Sequence, residues 1–346
     1  MLFPAKLTNR VKLTKGPVSL GQPILGPGAI YLAGRQIYRI DSNDLRIVWR
    51  KECELSLALF VLSNILFLTS GLELIALDPT SSETLWTRGS KGGFLWRDRL
   101  LTLEPDSAII VDPSTGKAME RIDLPGRSAV HGFNGDTLLY RIGEDGSVAA
   151  AYDLAERRLL WERPLLEETI KNYRAPGQTM NLTPGEKTFV LTKADVGIFG
   201  CSMEDGRILW HHRAFVSRDA PIAFNGRVYA LTTGHVPTLQ DAAKLICVDE
   251  FTGEKIYETE HKEFLAYRPS RPTVYEDHVY FGSDGGFVFA FRLADGALVW
   301  RHRTTGQTRQ PTILEDRLYV TSDDGHLLFF EGKKSLTKTK AGTKNA

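Results

Sequence analysis

The chain has 346 residues, 42% of them hydrophobic and 25% charged, with a formal net charge of +1. That length exceeds the usual single-core domain, so the chain reads as two domains or a repeat architecture, and its apolar content excludes a disordered polymer. The near-zero charge excludes a global field that would draw in nucleic acid or a membrane surface, so no specific nucleic-acid partner is expected.

In chain order, the N-terminal MLFPAKLTNRVKLTKGP has no continuous apolar run after its first charges. No signal peptide is read there, and no cysteine stands where a lipoprotein anchor would attach. The expected location is cytoplasmic, and periplasmic only if Met1 is not the natural start. Residues 5–14 have strand composition but belong to no repeat of their own. The longest apolar run, 57–68, is interrupted by Ser63 and Asn64, so no transmembrane segment is expected. The rest is a succession of short strands rich in Val, Ile, Leu, Phe and Tyr, separated by polar turns. Helical periodicity is confined to 165–173 and 238–244.

A repeat runs through these strands. It is clearest where GRVYALT (226–232) precedes KLICVDEFTGEKIYETE (244–260), DHVYFGS (277–283) precedes GFVFAFRLADGALVWRH (286–302), and DRLYVTS (316–322) precedes GHLLFFEGKK (325–334). The third strand of each repeat ends at Asp41, Asp78, Asp112, Asp153, Ser202, Asp249, Arg292 or Glu331. Eight residues after the first seven of these markers come Trp49, Trp86, Glu120, Trp161, Trp210, Tyr257 and Trp300. Five of the six tryptophans thus share one slot. Cofactor chemistry has no use for five copies, so Trp49, Trp86, Trp161, Trp210, Tyr257 and Trp300 are assigned to docking between repeats. Turn chemistry agrees: Asp112-Pro-Ser-Thr-Gly116, Asp249-Glu-Phe-Thr-Gly253 and Ala294-Asp-Gly296 supply capped turns with glycine available for positive φ.

Each repeat reads as a four-stranded antiparallel unit, strands A to D, with A near Pro23, Leu59, Gly93, His131, Leu182, Pro221, Pro272 or Pro311. One such unit cannot bury both its faces, and radial stacking does. The eighth repeat lacks a D strand, and residues 5–14 can supply it. The fold class is therefore all-β: an eight-bladed β-propeller closed by the N-terminal strand, with seven blades as the alternative. It forms a single propeller over residues 1–331, followed by a basic, disordered tail over 332–346.

The repeat, in the forms DEFTGEKIY, RLADGALVW, SMEDGRILW and DLAERRLLW, resembles that of the quinoprotein-type (PQQ-like) propeller family, a WD40-like architecture. The resemblance covers residues 20–331 and implies that the tryptophan slot docks adjacent blades. It implies one of two roles. Quinoprotein dehydrogenases hold a quinone and a calcium ion in the central funnel, and many carry an adjacent cysteine pair. This chain has only Cys53, Cys201 and Cys247, far apart. The BamB type of outer-membrane assembly lipoprotein is a non-catalytic scaffold close to this size, although the lipoprotein signal is missing here. The scaffold is preferred, with no cofactor, no metal and no catalytic residue assigned. A quinone-dependent dehydrogenase and a sensor of an anionic small ligand are the alternatives.

The long connections fall on one face of a propeller, where D–A and B–C loops gather: 163–179, 260–271 and 233–244. Long loops on a rigid frame are where binding usually resides. Arginines precede the inner strands of blades four to eight on that face: Arg127, Arg174, Arg218, Arg268 with Arg271, and Arg309. Tyr173, Phe264 and Tyr267 lie beside them. Guanidinium groups converging on one funnel would hold a carboxylate, a phosphate or an acidic segment of a protein partner. The alternative is that they pair with neighbours such as Asp219 or face water. The three cysteines read as small buried hydrophobes. His211, His212 and His302 follow the tryptophan slot and cannot share a metal, because adjacent strand residues point to opposite faces. His131, on an inner strand, reads as a satisfied or solvated histidine.

Overall fold

The computed structural model describes residues 6–14, 21–53, 56–90, 92–104, 106–124, 127–143, 148–164, 180–193, 197–213, 221–232, 244–260, 270–314 and 316–332. Among them are thirty-two strands and no helix. The N-terminal strand is β1 (Lys6–Lys12). Blade 1 is β2 (Ile24–Gly26), β3 (Ala29–Ala33), β4 (Gln36–Asp41) and β5 (Ile47–Glu52). Blade 2 is β6 (Ser56–Leu62), β7 (Ile65–Ser70), β8 (Glu73–Leu77) and β9 (Thr84–Gly89). Blade 3 is β10 (Gly93–Trp96), β11 (Arg99–Glu104), β12 (Ser107–Val111) and β13 (Ala118–Asp123). Blade 4 is β14 (Arg127–Asn134), β15 (Thr137–Ile142), β16 (Val148–Asp153) and β17 (Arg158–Pro164). Blade 5 is β18 (Met180–Pro184), β19 (Thr188–Lys193), β20 (Gly197–Ser202) and β21 (Ile208–His212). Blade 6 is β22 (Ile222–Phe224), β23 (Arg227–Thr232), β24 (Lys244–Asp249) and β25 (Lys255–Glu260). Blade 7 is β26 (Thr273–Tyr275), β27 (His278–Gly282), β28 (Phe287–Arg292) and β29 (Leu298–Arg303). Blade 8 is β30 (Thr312–Leu314), β31 (Arg317–Ser322) and β32 (His326–Glu331), completed by β1.

Eight four-stranded antiparallel sheets make this an all-β, eight-bladed propeller. The expected missing strand comes from the N-terminus: Lys6 pairs with Glu331 and Lys12 with His326, with a bulge between Leu7 and Asn9. The strand is two residues shorter at its C-terminal end than the 5–14 read from composition. The helical periodicity at 165–173 and 238–243 lies outside the described residues, as do 333–346 of the tail. Lys244, the last residue of the second candidate helix, opens β24.

Tight A–B hairpins fix the register. Asn225-Gly226 (φ 50° and 68°) and Ser63-Asn64 (φ 50° and 57°) take the paired positive-φ geometry whose twist matches the flanking strands. The middle strands read as continuous apolar runs. Ala149, Ala150 and Ala151 of β16 are all fully buried, because a neighbouring sheet covers each face of the blade. The outer strands alternate instead: in β5, Ile47, Trp49 and Lys51 are half-buried while Val48, Arg50 and Glu52 are exposed.

Two compact units are distinguished by their contacts. One comprises Met1–Gly93, Pro113–Gly116 and Pro269–Ala346. Its core is layered between successive blades, with Leu32, Tyr38 and Ile40 packed on Tyr319, Leu327 and Phe329, and Tyr31 and Ala33 packed on Leu66 and Leu68. The other comprises Phe94–Asp112 and Lys117–Arg268. In it Leu101 and Ile110 pack on Leu138 and Tyr140, and Leu139 and Ala151 pack on Leu191 and Phe199. No helix among the described residues is long and apolar enough to cross a membrane.

Because β1 supplies an entire edge of blade 8, and Leu13 just beyond it is buried with Ile30 and Tyr319, deletion of residues 1–14 should be severe. The expected loss is about 3–5 kcal/mol or more, since it uncovers a sheet edge and a core position together. Urea denaturation, with dye binding to exposed apolar surface, measures it.

Candidate functional site

Four of the tryptophan slots are built the same way. Trp49 donates its indole N–H to the Pro79 carbonyl at 3.0 Å, and Trp86 to that of Pro113 at 2.9 Å. Trp161 donates to Met203 O at 2.7 Å and Trp210 to Glu250 O at 2.9 Å. Each acceptor is the residue immediately after the next blade's marker, so the indole ties one blade's outer strand to its neighbour's C–D turn. That turn is itself capped. Asp41, Asp78, Asp153 and Asp249 each accept, through Oδ1, the backbone N–H groups two and three residues on. Those bonds hold the carboxyls of Asp41, Asp78 and Asp249 below the usual range.

The fourth residue after the marker takes positive φ and lies flat under the indole. A Cβ at Gly206 (φ 74°) would stand 2.8 Å from the Trp161 ring, and one at Gly253 (φ 71°) 2.4 Å from Trp210. The exception explains itself. Blade 3 has Glu120 in the slot, and the following blade has Arg157 (φ 54°) where the glycine would be; the two form an ion pair in place of the stacked ring. Trp96, the one tryptophan outside the slot, braces the same pair of blades by donating to Asp136 Oδ1 at 3.1 Å. For Trp300 the contact is an edge-on approach to Phe330, centroids 5.1 Å apart.

A second recurring contact escaped the sequence reading. Two residues after the tryptophan stands a donor that reaches the same turn of the next blade. Lys51 Nζ donates to Ser82 O at 2.7 Å, Arg88 to Gly116 O at 3.4 Å and Arg163 to Asp205 O at 2.6 Å, and the His212 ring contacts Gly253 O. The signal was there, as Trp-x-Lys/Arg/His in five blades. Glu250, 1% exposed, also goes beyond the repeat: its carboxylate accepts Glu186 N at 2.8 Å and the Thr188 hydroxyl at 2.6 Å. Blade 6 thereby grips the A–B hairpin of blade 5 while receiving Trp210 from it.

Of the arginine cluster, two members have described side chains. Arg271 is exposed and Arg309 half-buried, and the chain segments carrying them meet at the same glycine. Ser270 N donates to Gly282 O at 2.9 Å, and a Cβ on Gly282 would lie 2.3 Å from Arg309 O. The segment before Arg309 is latched through Thr308, 2% exposed, whose Oγ1 accepts Ser283 N at 2.7 Å and donates to Phe287 O at 2.6 Å. Arg127 opens β14, and its side chain is outside the description. Tyr173, Arg174, Arg218, Phe264, Tyr267 and Arg268 lie outside the described residues, as does Asp219.

The remaining candidates resolve as packing. Cys201 and Cys247 are buried, and burial pushes their thiols up to about 12 and about 11. Cys53 is half-buried and also raised by burial. His211 stacks on Phe199 at 4.2 Å, while His212 faces Trp210. His131 wedges between the inner strands of blades 4 and 5, where Nδ1 accepts the Leu182 N–H at 3.4 Å. Burial first, and Arg141 second, depress its pKa to about 4. A calcium-held quinone needs a cluster of oxygen donors. Among the described residues no three His, Cys, Asp or Glu side chains come together as metal ligands.

The fold and the repeated docking slot define a PQQ-like repeat propeller. A family profile described as outer membrane protein assembly factor BamB matches residues 105–239, 205–309 and 241–338, overlapping spans that together cover more than half of the chain. The chain belongs to this BamB-like family. Among solved structures it is similar to BamB from Moraxella catarrhalis, with a TM-score of 0.70, 15% identity, and coverage of 94% of this chain and 99% of that one. It is also similar to a europium-containing methanol dehydrogenase, with TM-score 0.69, 13% identity, and coverage of 94% and 93%. A quinohemoprotein alcohol dehydrogenase from Comamonas testosteroni is similar at TM-score 0.67 and 12% identity, with coverage of 94% and 76%. At these identities the likeness is one of fold. Comparison with curated proteins gave no match.

Trp161→Ala should cost about 3–5 kcal/mol through lost inter-blade packing. Trp161→Phe should cost about 1–3 kcal/mol, because Met203 O loses its donor. Gly206→Ala should be destabilising as well, through both its φ and the ring above it. Urea midpoints of the three variants check the set. For His131 the folded pKa lies below the unfolded value of about 6.5, so the unfolded state binds the proton more tightly. Its contribution is fully present above about pH 6.5 and is lost as pH falls toward about 4. His131→Gln should flatten the pH dependence of stability across that window.

Proposed function

We propose that this chain is a non-catalytic scaffold that binds a protein partner through the face carrying its D–A and B–C loops, with the arginines ahead of the inner strands as the contacts. The observation that carries this reading is the family match to an outer membrane protein assembly factor. The repeat residues support it too. The tryptophan, the capping aspartate, the positive-φ residue and the following cation are all engaged in holding blades together, which leaves a rigid frame whose variable part is its loops. The dehydrogenases share that frame and place their chemistry on it; a frame by itself does not select a reaction.

Arg271 and Arg309, brought to either side of Gly282, supply the start of a cationic surface. Arg127, Arg174, Arg218 and Arg268 extend it in this proposal, with Tyr173, Phe264 and Tyr267 as aromatic anchors of the kind that dominate interface energetics. The partner's contact is accordingly acidic. An assembly role at the outer membrane and the cytoplasmic location expected from the N-terminal residues are distinguished by which partners are recovered.

The test is a crosslinking pull-down from the native host, comparing the wild type with a variant carrying Ala at Arg127, Arg174, Arg218, Arg268 and Arg309. A specific partner, reduced at least about ten-fold in the variant, is expected. Equal recovery by both would move the interface off this face. A saturable spectral change on titrating pyrroloquinoline quinone with calcium would replace the scaffold with the dehydrogenase reading.

A further inference from the structure

At the D–A/B–C end of the strands, but on blade 1 rather than among the arginines discussed above, a cleft of about 650 Å³ opens where the end of the N-terminal strand meets blade 1. Its size is in the range of small-ligand sites. Ile47 is the half-buried apolar residue of its wall, and Leu13 and Tyr38, 6% and 1% exposed, are the core beneath it. The charged part comes from three separate elements: Lys12 from the end of β1, Arg35 from the turn between β3 and β4, and Arg50 from β5. All three are exposed.

Glu52 is the single carboxylate of the lining. It is already engaged. The Tyr38 hydroxyl donates to Gln36 Oε1 at 2.8 Å, and Gln36 Nε2 donates to Glu52 Oε1. This relay turns the Gln36 amide toward Glu52 and holds the phenol in place. Among the described residues, Lys12, Arg35 and Arg50 have no carboxylate within ion-pair distance, so the cleft carries two net positive charges beside an apolar wall. Exposed cations on most surfaces disperse into water. Here two guanidinium groups and an ammonium border one concavity, and a guanidinium is the group best suited to two-pronged contact with a phosphate or carboxylate.

We propose that this cleft binds a small organic dianion, a phosphate monoester or a dicarboxylate, whose apolar body rests against Ile47 while Arg35, Arg50 and Lys12 hold its charges. The site joins the closing strand to the first blade, so occupancy stabilises that junction by mass action.

The test uses the full chain in low-salt buffer free of phosphate, titrated calorimetrically with phenyl phosphate, phthalate and, as the uncharged counterpart, benzyl alcohol. Saturable one-to-one binding of at least one dianion is expected, weakening as salt is raised. Affinity should fall about ten-fold or more in Arg35→Gln/Arg50→Gln, a pair of exposed positions whose loss leaves the fold intact. It should be unchanged in Arg46→Gln, which is exposed elsewhere on blade 1. Preference for phenyl phosphate over phthalate identifies a phosphate ester as the natural class, and the reverse preference identifies a dicarboxylate. No saturable heat with either dianion up to about 5 mM would overturn the proposal, as would equal affinity in the double variant or equal binding of benzyl alcohol.

Discussion

A four-stranded sheet with two apolar faces cannot be stable by itself, and each blade of this protein becomes stable only by being held flat against the next. The contact that sets this distance and angle is the indole N–H of one blade donating to a backbone carbonyl in the neighbour's C–D turn. The carbonyl belongs to a turn, so it has no strand partner, and a buried acceptor without a donor is costly. The indole satisfies it and in the same movement covers the turn. Everything else at the joint follows from that placement: a positive-φ residue so that the turn passes beneath the ring, an aspartate to hold the turn's own N–H groups, and a long donor two residues on to reach a second turn carbonyl.

The joint between blades 3 and 4 shows which part of this arrangement is essential. There the ring is gone; Glu120 and Arg157 meet across the gap instead, and the tryptophan contact moves to Trp96 and Asp136. At this joint ring and glycine are both absent, whereas the turn that receives Trp49 carries Ser82 at the same positive-φ position, so the indole does not require a bare glycine at every joint. The blade-to-blade connection is therefore a constraint on volume and on unpaired backbone groups, and it can be met by more than one chemistry.

Such a frame separates stability from function. The tryptophan joints occupy the outer strands and the C–D turns, while the D–A and B–C loops lie at the other end of the strands, where Thr308 of one D–A connection holds Ser283 and Phe287. The proposed partner face uses those loops. The dianion cleft lies at the one place where the ring is joined by pairing of the two chain ends. Solved structures of a BamB and of a methanol dehydrogenase share such a fold, so the frame by itself does not select a function.

Much of this was legible in the sequence because it repeats. Trp49, Trp86, Trp161, Trp210 and Trp300 share one spacing from their markers, and a spacing that recurs five times reports a local geometry that recurs five times. The A–B turns, the boundaries of the blades and the need for β1 in blade 8 followed from the same periodicity. What did not repeat was not legible. Glu250 binding Glu186 and Thr188, the Gln36 relay between Tyr38 and Glu52, and the meeting of the Arg271 and Arg309 segments at Gly282 each join residues whose sequence separation carries no signal. The Lys51, Arg88, Arg163 and His212 series does repeat, but its role appears only once the fold puts a turn carbonyl in front of each. Sequence alone determined the unit, its number and its closure, since these depend on contacts near in the chain or copied along it. Only the tertiary structure decided which charges meet a partner and which border an open cleft, because that depends on the distance between strands of different blades.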